Sequence, residues 1–296
     1  HSFTRCLDDR GDGMRTGLVL EGGGMRGMYT AGVLDVMMDH GIRVDGILGV
    51  SAGALFGVNY FSGQQGRAVR YNMKYAGNRR YMGLRSLVRT GNIVGKEFAY
   101  YEVPMKLDVF DDETFKNSGG DFYAVATNVR TGEAEYLKID SVFQQMEALR
   151  ATSAMPLVSK LVRYQGEYYL DGGIADSIPV DKCLEMGYDR VAVVLTRPLE
   201  YRKKPYSRAA EKAICRRYAN FPRLAEQILN RWENYNACVE RVAQLEQEGR
   251  IFVIRPSRTI HLSRIEKRKE KLLEMYHLGE EDCRGRMAEL EAYLRV

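Results

Sequence analysis

A single serine between two glycines at the close of an apolar run is the feature that most limits what this chain can fold into: Asp45-Gly-Ile-Leu-Gly-Val-Ser-Ala-Gly-Ala-Leu55. Ile47, Leu48 and Val50 predict a short buried strand over 46–50, and Ala52 to Tyr60 has the spacing of a helix. In this G-x-S-x-G pattern, Gly49 and Gly53 lack the Cβ atoms that would clash when a strand turns straight into a helix. The turn then thrusts the Ser51 hydroxyl clear of the sheet. The first amides and the dipole of the following helix favour an anion beside that hydroxyl. Ser51 is the candidate nucleophile. A small-residue turn at a strand end is the plain alternative, and only context separates the two.

Upstream, the apolar run Gly17-Leu-Val-Leu20 ends in Glu21-Gly-Gly-Gly-Met-Arg-Gly27, and helical spacing then runs from Met28 to His40 and stops at Gly41. Gly22-x-Gly24-x-x-Gly27 also matches the dinucleotide fingerprint, with Asp45 as its acid, so an NAD-dependent oxidoreductase is one reading. In that fold the acid ends the second strand, whereas Asp45 precedes the second apolar run. The competing use of the loop is an oxyanion hole. Successive glycines let the backbone approach a substrate and present the amides of Gly22, Gly23, Gly24 and Met25 to a developing oxyanion. Arg26 would stand at the same mouth, where its guanidinium could meet a phosphate or carboxylate.

Residues 1–13 show no periodicity and read as a loose arm. Over 67–100 the chain reads as helical and basic, a solvated face in preference to an anion-binding rim, and Asp108–Glu113 compensates it. Asp121–Asn128 and Ala134–Leu137 read as paired strands, Ser141–Arg150 as a short helix, and Leu161–Leu170 as a hairpin turning at Gln165-Gly166. That hairpin delivers Asp171-Gly172-Gly173, an unhindered carboxylate at a strand end. A helix over Pro179–Gly187 and a buried strand over Arg190–Thr196 follow. Beyond residue 198 the chain turns charged and helical, over 206–248 and 262–294, with one apolar strand at 251–254 returning to the sheet. The resulting expectation is an α/β body over 14–198 with a mainly helical extension over 199–296.

The net charge is +5, and residues 200–296 hold 21 Lys and Arg against 15 Asp and Glu. An excess this small decides for neither membrane nor nucleic acid; peripheral contact with an anionic membrane is allowed and no nucleic-acid partner is expected. No apolar run approaches the ~20 residues of a spanning helix and no secretory leader is visible, so the expected location is cytoplasmic, at most against the inner membrane face. Five scattered cysteines without C-x-x-C spacing argue against both a disulfide framework and a zinc site, and no cofactor is expected.

A serine needs a base. A Ser51–Asp171–His261 order would suit a conventional triad, with His277 as an alternative, yet nothing around either histidine singles it out. A Ser51–Asp171 dyad is the other solution. A non-catalytic membrane or nucleic-acid adaptor using the 67–100 cluster and the basic tail is a third kind of reading.

Gly22-Gly-Gly-Met-Arg-Gly27, Gly49-Val-Ser-Ala-Gly53, Ala151-Thr-Ser-Ala-Met-Pro156 and Asp171-Gly-Gly173, in this order, resemble the patatin-like phospholipases. The resemblance spans roughly 17–196, and the C-terminal part is similar to a bacterial branch of predicted esterases. It implies a three-layer αβα fold with a mostly parallel central sheet. It further implies Ser51 as nucleophile, Asp171 as base, an oxyanion hole from the 22–27 loop and metal-free hydrolysis of acyl esters in phospholipids or related lipids, with a lipid or acyl-ester substrate as the expected partner. Many members have Asp-Gly-Ala where this chain has Asp-Gly-Gly.

Overall fold

The computed structural model describes residues 13–295, so the arm expected over 1–13 lies outside the described residues except for Gly13. Eight strands form one sheet: β1 (Thr16–Leu20), β2 (Gly46–Val50), β3 (Asp121–Asn128), β4 (Ala134–Ile139), β5 (Val162–Tyr164), β6 (Glu167–Asp171), β7 (Arg190–Val194) and β8 (Ile251–Ile254). Their order is β5-β6-β3-β2-β1-β7-β8, with β4 also paired to β3. The run from β3 to β8 is parallel, and β4, β5 and β6 are antiparallel additions.

Central parallel strands are covered on both faces, which is why β1, β2 and β7 read as nearly unbroken apolar runs. Leu18, Leu20 and Ile47 face one core, shared with α1 (Gly27–Asp39) and α2 (Ala52–Phe61). Val19, Leu48, Val191 and Val193 face the other, under α7 (Val180–Glu185) and α10 (Arg231–Gln247). The result is the expected mixed α/β architecture with helices on both sides of a mostly parallel sheet. Between β2 and β3 the chain leaves the sheet as α3 (Arg67–Tyr75), α4 (Leu84–Thr90), a π-helical run over Lys96–Leu107 that contains Pro104, and α5 (Asp112–Lys116). Left-handed Gly91 ends α4, so the single helical stretch read over 67–100 is broken. The helix expected over 141–150 is confined to α6 (Met146–Thr152).

In the C-terminal part, α8 (Arg208–Arg217) and α9 (Pro222–Leu229) precede α10, with Pro222 starting α9 as the residue that cannot continue α8. After β8, residues 255–268 form a strap without regular structure, and only then does α11 (Lys269–Arg295) begin. The helix expected from residue 262 therefore starts seven residues late. Its would-be backbone acceptors are committed elsewhere: the Arg264 carbonyl takes the Met25 amide at 2.9 Å and the Leu262 carbonyl takes Arg26 Nη1 at 2.6 Å. The Glu266 carboxylate accepts the Lys267 and Arg268 amides and the Arg268 guanidinium. α11 lies tight on α1, because a Cβ at Gly279 would stand 2.1 Å from the Tyr29 carbonyl oxygen and one at Gly32 2.1 Å from that of Tyr276. Tyr276 to Asp35 at 2.6 Å and Tyr29 to Asp282 at 3.0 Å tie the same crossing.

Candidate active site

Ser51 occupies the turn between β2 and α2 with φ 55 and ψ −124, a backbone conformation that costs a non-glycine residue of order 1–3 kcal/mol. The surroundings hold it there. A Cβ at Gly53 would meet the Leu20 carbonyl oxygen at 2.5 Å, and one at Gly22 would meet Ser51 Cβ at 3.0 Å, so the loop after β1 lies directly on the serine turn. Gly49 is packed against Ala54 in the same way, and Gly27 against Phe56. The Ser51 amide donates to Thr152 Oγ1 at 2.9 Å, and that hydroxyl donates onward to the Val125 carbonyl.

Sheet register brings Asp171 to the same place. Val50 pairs with Val125 across β2 and β3, and Ala126 with Asp171 across β3 and β6. The backbones of Ser51 and Asp171 are thus about two strand spacings apart, each ~4.8 Å. The Asp171 amide donates to the Ala154 carbonyl at 2.8 Å, and its Oδ1 accepts the Gly173 amide at 2.7 Å. Gly172 lies against the Val125 carbonyl. Both side chains are buried and line one polar cavity. They make no direct hydrogen bond to each other in this structure.

Ser51 opens on two spaces. One is an apolar cavity of about 930 Å³, counted to its open mouth, walled by Leu55, Phe56, Tyr71, Met82, Val103 and Leu149. The other, about 500 Å³ by the same measure, is polar and contains Gly22, Gly23, Gly24, Asp171 and Gly173. The amides of Gly22, Gly23 and Gly24 have no protein acceptor among the described residues, and Gly24 is left-handed at φ 58. Met25 differs from the expectation, because its amide is already given to Arg264. Arg26 also departs from it: the guanidinium lines neither cavity and instead ties down the strap through Leu262.

Several residues have roles that the motifs alone do not reveal. Thr152, inside the Ala151-Thr-Ser-Ala-Met-Pro156 motif, holds the serine turn. Glu21 is buried immediately before the glycines, accepting the Thr196 amide at 2.7 Å and the Tyr235 hydroxyl at 2.8 Å. Burial raises its pKa, against these hydrogen bonds, which lower it. Arg231 and Arg264 enter the polar cavity from the C-terminal part, and a carboxylate-free arginine is invisible to spacing rules. The histidines do not enter: His261 and His277 are exposed and line neither cavity, and His277 Nδ1 is engaged with Glu280 at 2.7 Å. Asp45, the acid of the dinucleotide reading, accepts the Thr16 amide at the start of β1, the end of that strand remote from the glycine loop. Among the described residues no cluster of His, Cys, Asp and Glu could hold a metal ion, and no helix is long and apolar enough to cross a membrane.

A family model described as Patatin-like phospholipase matches residues 18–184, more than half of the chain. The chain belongs to that family. A second model, described as a Domain of unknown function (DUF6363), matches residues 221–295 of this patatin-like protein. Uncharacterized protein YjjU of Escherichia coli (strain K12) is 29% identical over 276 residues, covering 90% of this chain and 75% of YjjU. Lysophospholipase nte1 of Aspergillus fumigatus is 29% identical over 187 residues, covering 62% of this chain and 12% of the fungal protein. Among solved structures, VipD from Legionella pneumophila matches with a TM-score of 0.44 at 16% identity, over 94% of this chain and 67% of that one.

Proposed function

We propose that this patatin-like protein hydrolyses acyl esters of lipids through Ser51 and Asp171. The observation that carries the reading is the strained Ser51, which opens on an apolar cavity to one side and on a polar cavity containing Asp171 to the other. Asp171 takes the Ser51 proton as Oγ attacks the ester carbonyl. The tetrahedral oxyanion is received by the free amides of Gly22, Gly23 and Gly24. Collapse expels the alcohol, which leaves with the proton from Asp171. Water, deprotonated by Asp171, then attacks the acyl carbonyl, and the fatty acid is released as Ser51 Oγ takes the proton back from Asp171. The acyl chain suits the apolar cavity. A lysophospholipase name on the fungal relative supports a lipid substrate.

A face for meeting an anionic membrane surface is part of the reading. Leu84 and Val88 of α4 are 71% and 78% exposed beside a groove that includes Arg85, Arg89, Lys96 and Lys160. Sedimentation with phosphatidylglycerol vesicles, compared with phosphatidylcholine vesicles and with Leu84→Asp, tests this face.

Nitrophenyl ester hydrolysis tests the chemistry. Ser51→Ala and Asp171→Asn should each lose at least ~10³ in kcat, as loss of a nucleophile or base does. The double variant His261→Ala/His277→Ala should retain wild-type turnover, and its loss would replace the dyad with a histidine-dependent triad.

A further inference from the structure

Four cations converge on the polar side of Ser51: Arg197, Lys203, Arg231 and Arg264. None of the four forms an ion pair among the described residues. The Arg197 guanidinium lies 3.9 Å over the Tyr201 ring, and Lys203 Nζ lies 4.6 Å over that of Tyr235. Among the described residues, Arg264 Nη1 has only Met155 Sδ, at 4.0 Å. Arg231 Nε is shielded from solvent with no acceptor among those residues. Leaving a buried guanidinium nitrogen unpaired is costly, so an orphaned one beside a positively charged cavity calls for a partner such as a bound anion. Gly173 makes the room for it: a Cβ there would stand 2.7 Å from Arg231 Nη2. The cavity acids are Glu21, already bonded to Thr196 and Tyr235, and Asp171. Even with both ionised, three permanently charged guanidinium groups leave the cavity positive. The crowding is felt by Lys203, whose pKa burial lowers, with Arg231 and Arg264 next in effect.

We propose that this cluster is a phosphate subsite, and that the preferred substrate is a single-chain lipid whose glycerol carries a phosphate monoester. The proposal rests on the hydrolase reading of Ser51. With the ester at the serine, the acyl chain fills the apolar cavity and the phosphate meets planar guanidinium forks on the opposite side. Arg231 and Arg264 come from the C-terminal residues 221–295, so this segment sets headgroup choice while residues 18–184 supply the chemistry.

The test has a binding arm and a kinetic arm on the full chain. In Ser51→Ala protein, titrated calorimetrically, sn-glycerol 3-phosphate should bind more tightly than inorganic phosphate, and Arg264→Met or Arg231→Lys should weaken it at least tenfold. In the active enzyme, kcat/KM for lysophosphatidic acid over the monoacylglycerol of equal chain length should exceed ten, and Arg264→Met should cut that ratio at least tenfold. Arg231→Met is the more drastic variant, and Arg231→Lys covers the case in which it fails to fold. A ratio near one, equal losses on both lipids, or inorganic phosphate bound as well as glycerol 3-phosphate would overturn the subsite. Nitrophenyl ester turnover with no phosphate effect removes the subsite and leaves the hydrolase. Arginine-dependent glycerol 3-phosphate binding without hydrolysis of any ester does the reverse.

Discussion

The Ser51 amide donates to the hydroxyl of Thr152 at 2.9 Å, and through that hydroxyl the turn carrying Ser51 is fastened to the Val125 carbonyl of the neighbouring strand. One buried oxygen thus satisfies a strained backbone on one strand and bonds the next. Thr152→Val keeps the shape and removes the oxygen, leaving the buried Ser51 N–H unpaired and taking one donor from the Val125 carbonyl. The expected cost is about 1–3 kcal/mol for the unsatisfied N–H. Thermal denaturation should show a melting temperature lower by several degrees, and ester turnover should fall because Ser51 is no longer held. Thr152→Ser should restore both. Unchanged melting in Thr152→Val would mean that the hydroxyl carries no structural role.

Gly24→Ala should separate activity from folding. The residue is left-handed at φ 58, and a Cβ would stand 2.5 Å from the Arg264 carbonyl oxygen. Adopting that backbone with a side chain costs about 1–2 kcal/mol. The strap must also shift, and with it the bond to the Met25 amide. Circular dichroism should remain that of the native fold while kcat drops by at least an order of magnitude. Native turnover would show that the loop has slack.

Gly279→Ala addresses the crossing of α1 and α11. Its methyl would lie 2.1 Å from the Tyr29 carbonyl oxygen, with backbone on both sides and no flexible side chain to yield. Overpacking of this kind costs typically ~1–3 kcal/mol. Denaturant titration should report the loss as a lower midpoint with an unchanged slope. An unaltered midpoint would mean that the helices part without penalty.

The strap also makes an acid-sensitive contribution. Hydrogen bonds from the Arg268 side chain are the largest influence holding the Glu266 carboxyl down to about 2, against an ordinary value of 4.5. A depressed carboxyl adds stability above its unfolded pKa and loses it as pH falls through the folded one, so the contribution is present at neutral pH and disappears between about pH 4.5 and 2. Glu266→Gln should therefore melt lower than wild type at pH 7, and the two should converge toward pH 2. Parallel melting curves across that range would assign the acid response to other groups.

The legible parts of this protein are those written within a few residues of one another. The apolar run before Ser51 and the small residues after it specify a strand, a turn and a helix by local geometry alone, and the paired strands and the Gln165-Gly166 hairpin follow from the same rules. The partners that complete the site are distant in the chain. Thr152 is 101 residues from the amide it accepts, and Tyr235 is 214 residues from Glu21. Thr152 sits in a motif and Tyr235 in none, yet in neither case does local sequence name the partner 101 or 214 residues away. The helix expected through 262–268 failed for the same reason, since helical spacing in Arg264–Lys271 is real but the Leu262 and Arg264 carbonyls are taken by Arg26 and Met25. Likewise, Arg26 has the right residue type for a mouth, and only the fold reveals that it is spent on the strap.

The bond from the Met25 amide to the Arg264 carbonyl also bears on how such proteins diversify. A hybrid that joined residues before 200 to an unrelated tail would keep Ser51 yet lose the neighbour that steadies the glycine loop. Under the proposed subsite, exchanging tails would retune headgroup choice only where each new tail arrives with its own carbonyl for position 25.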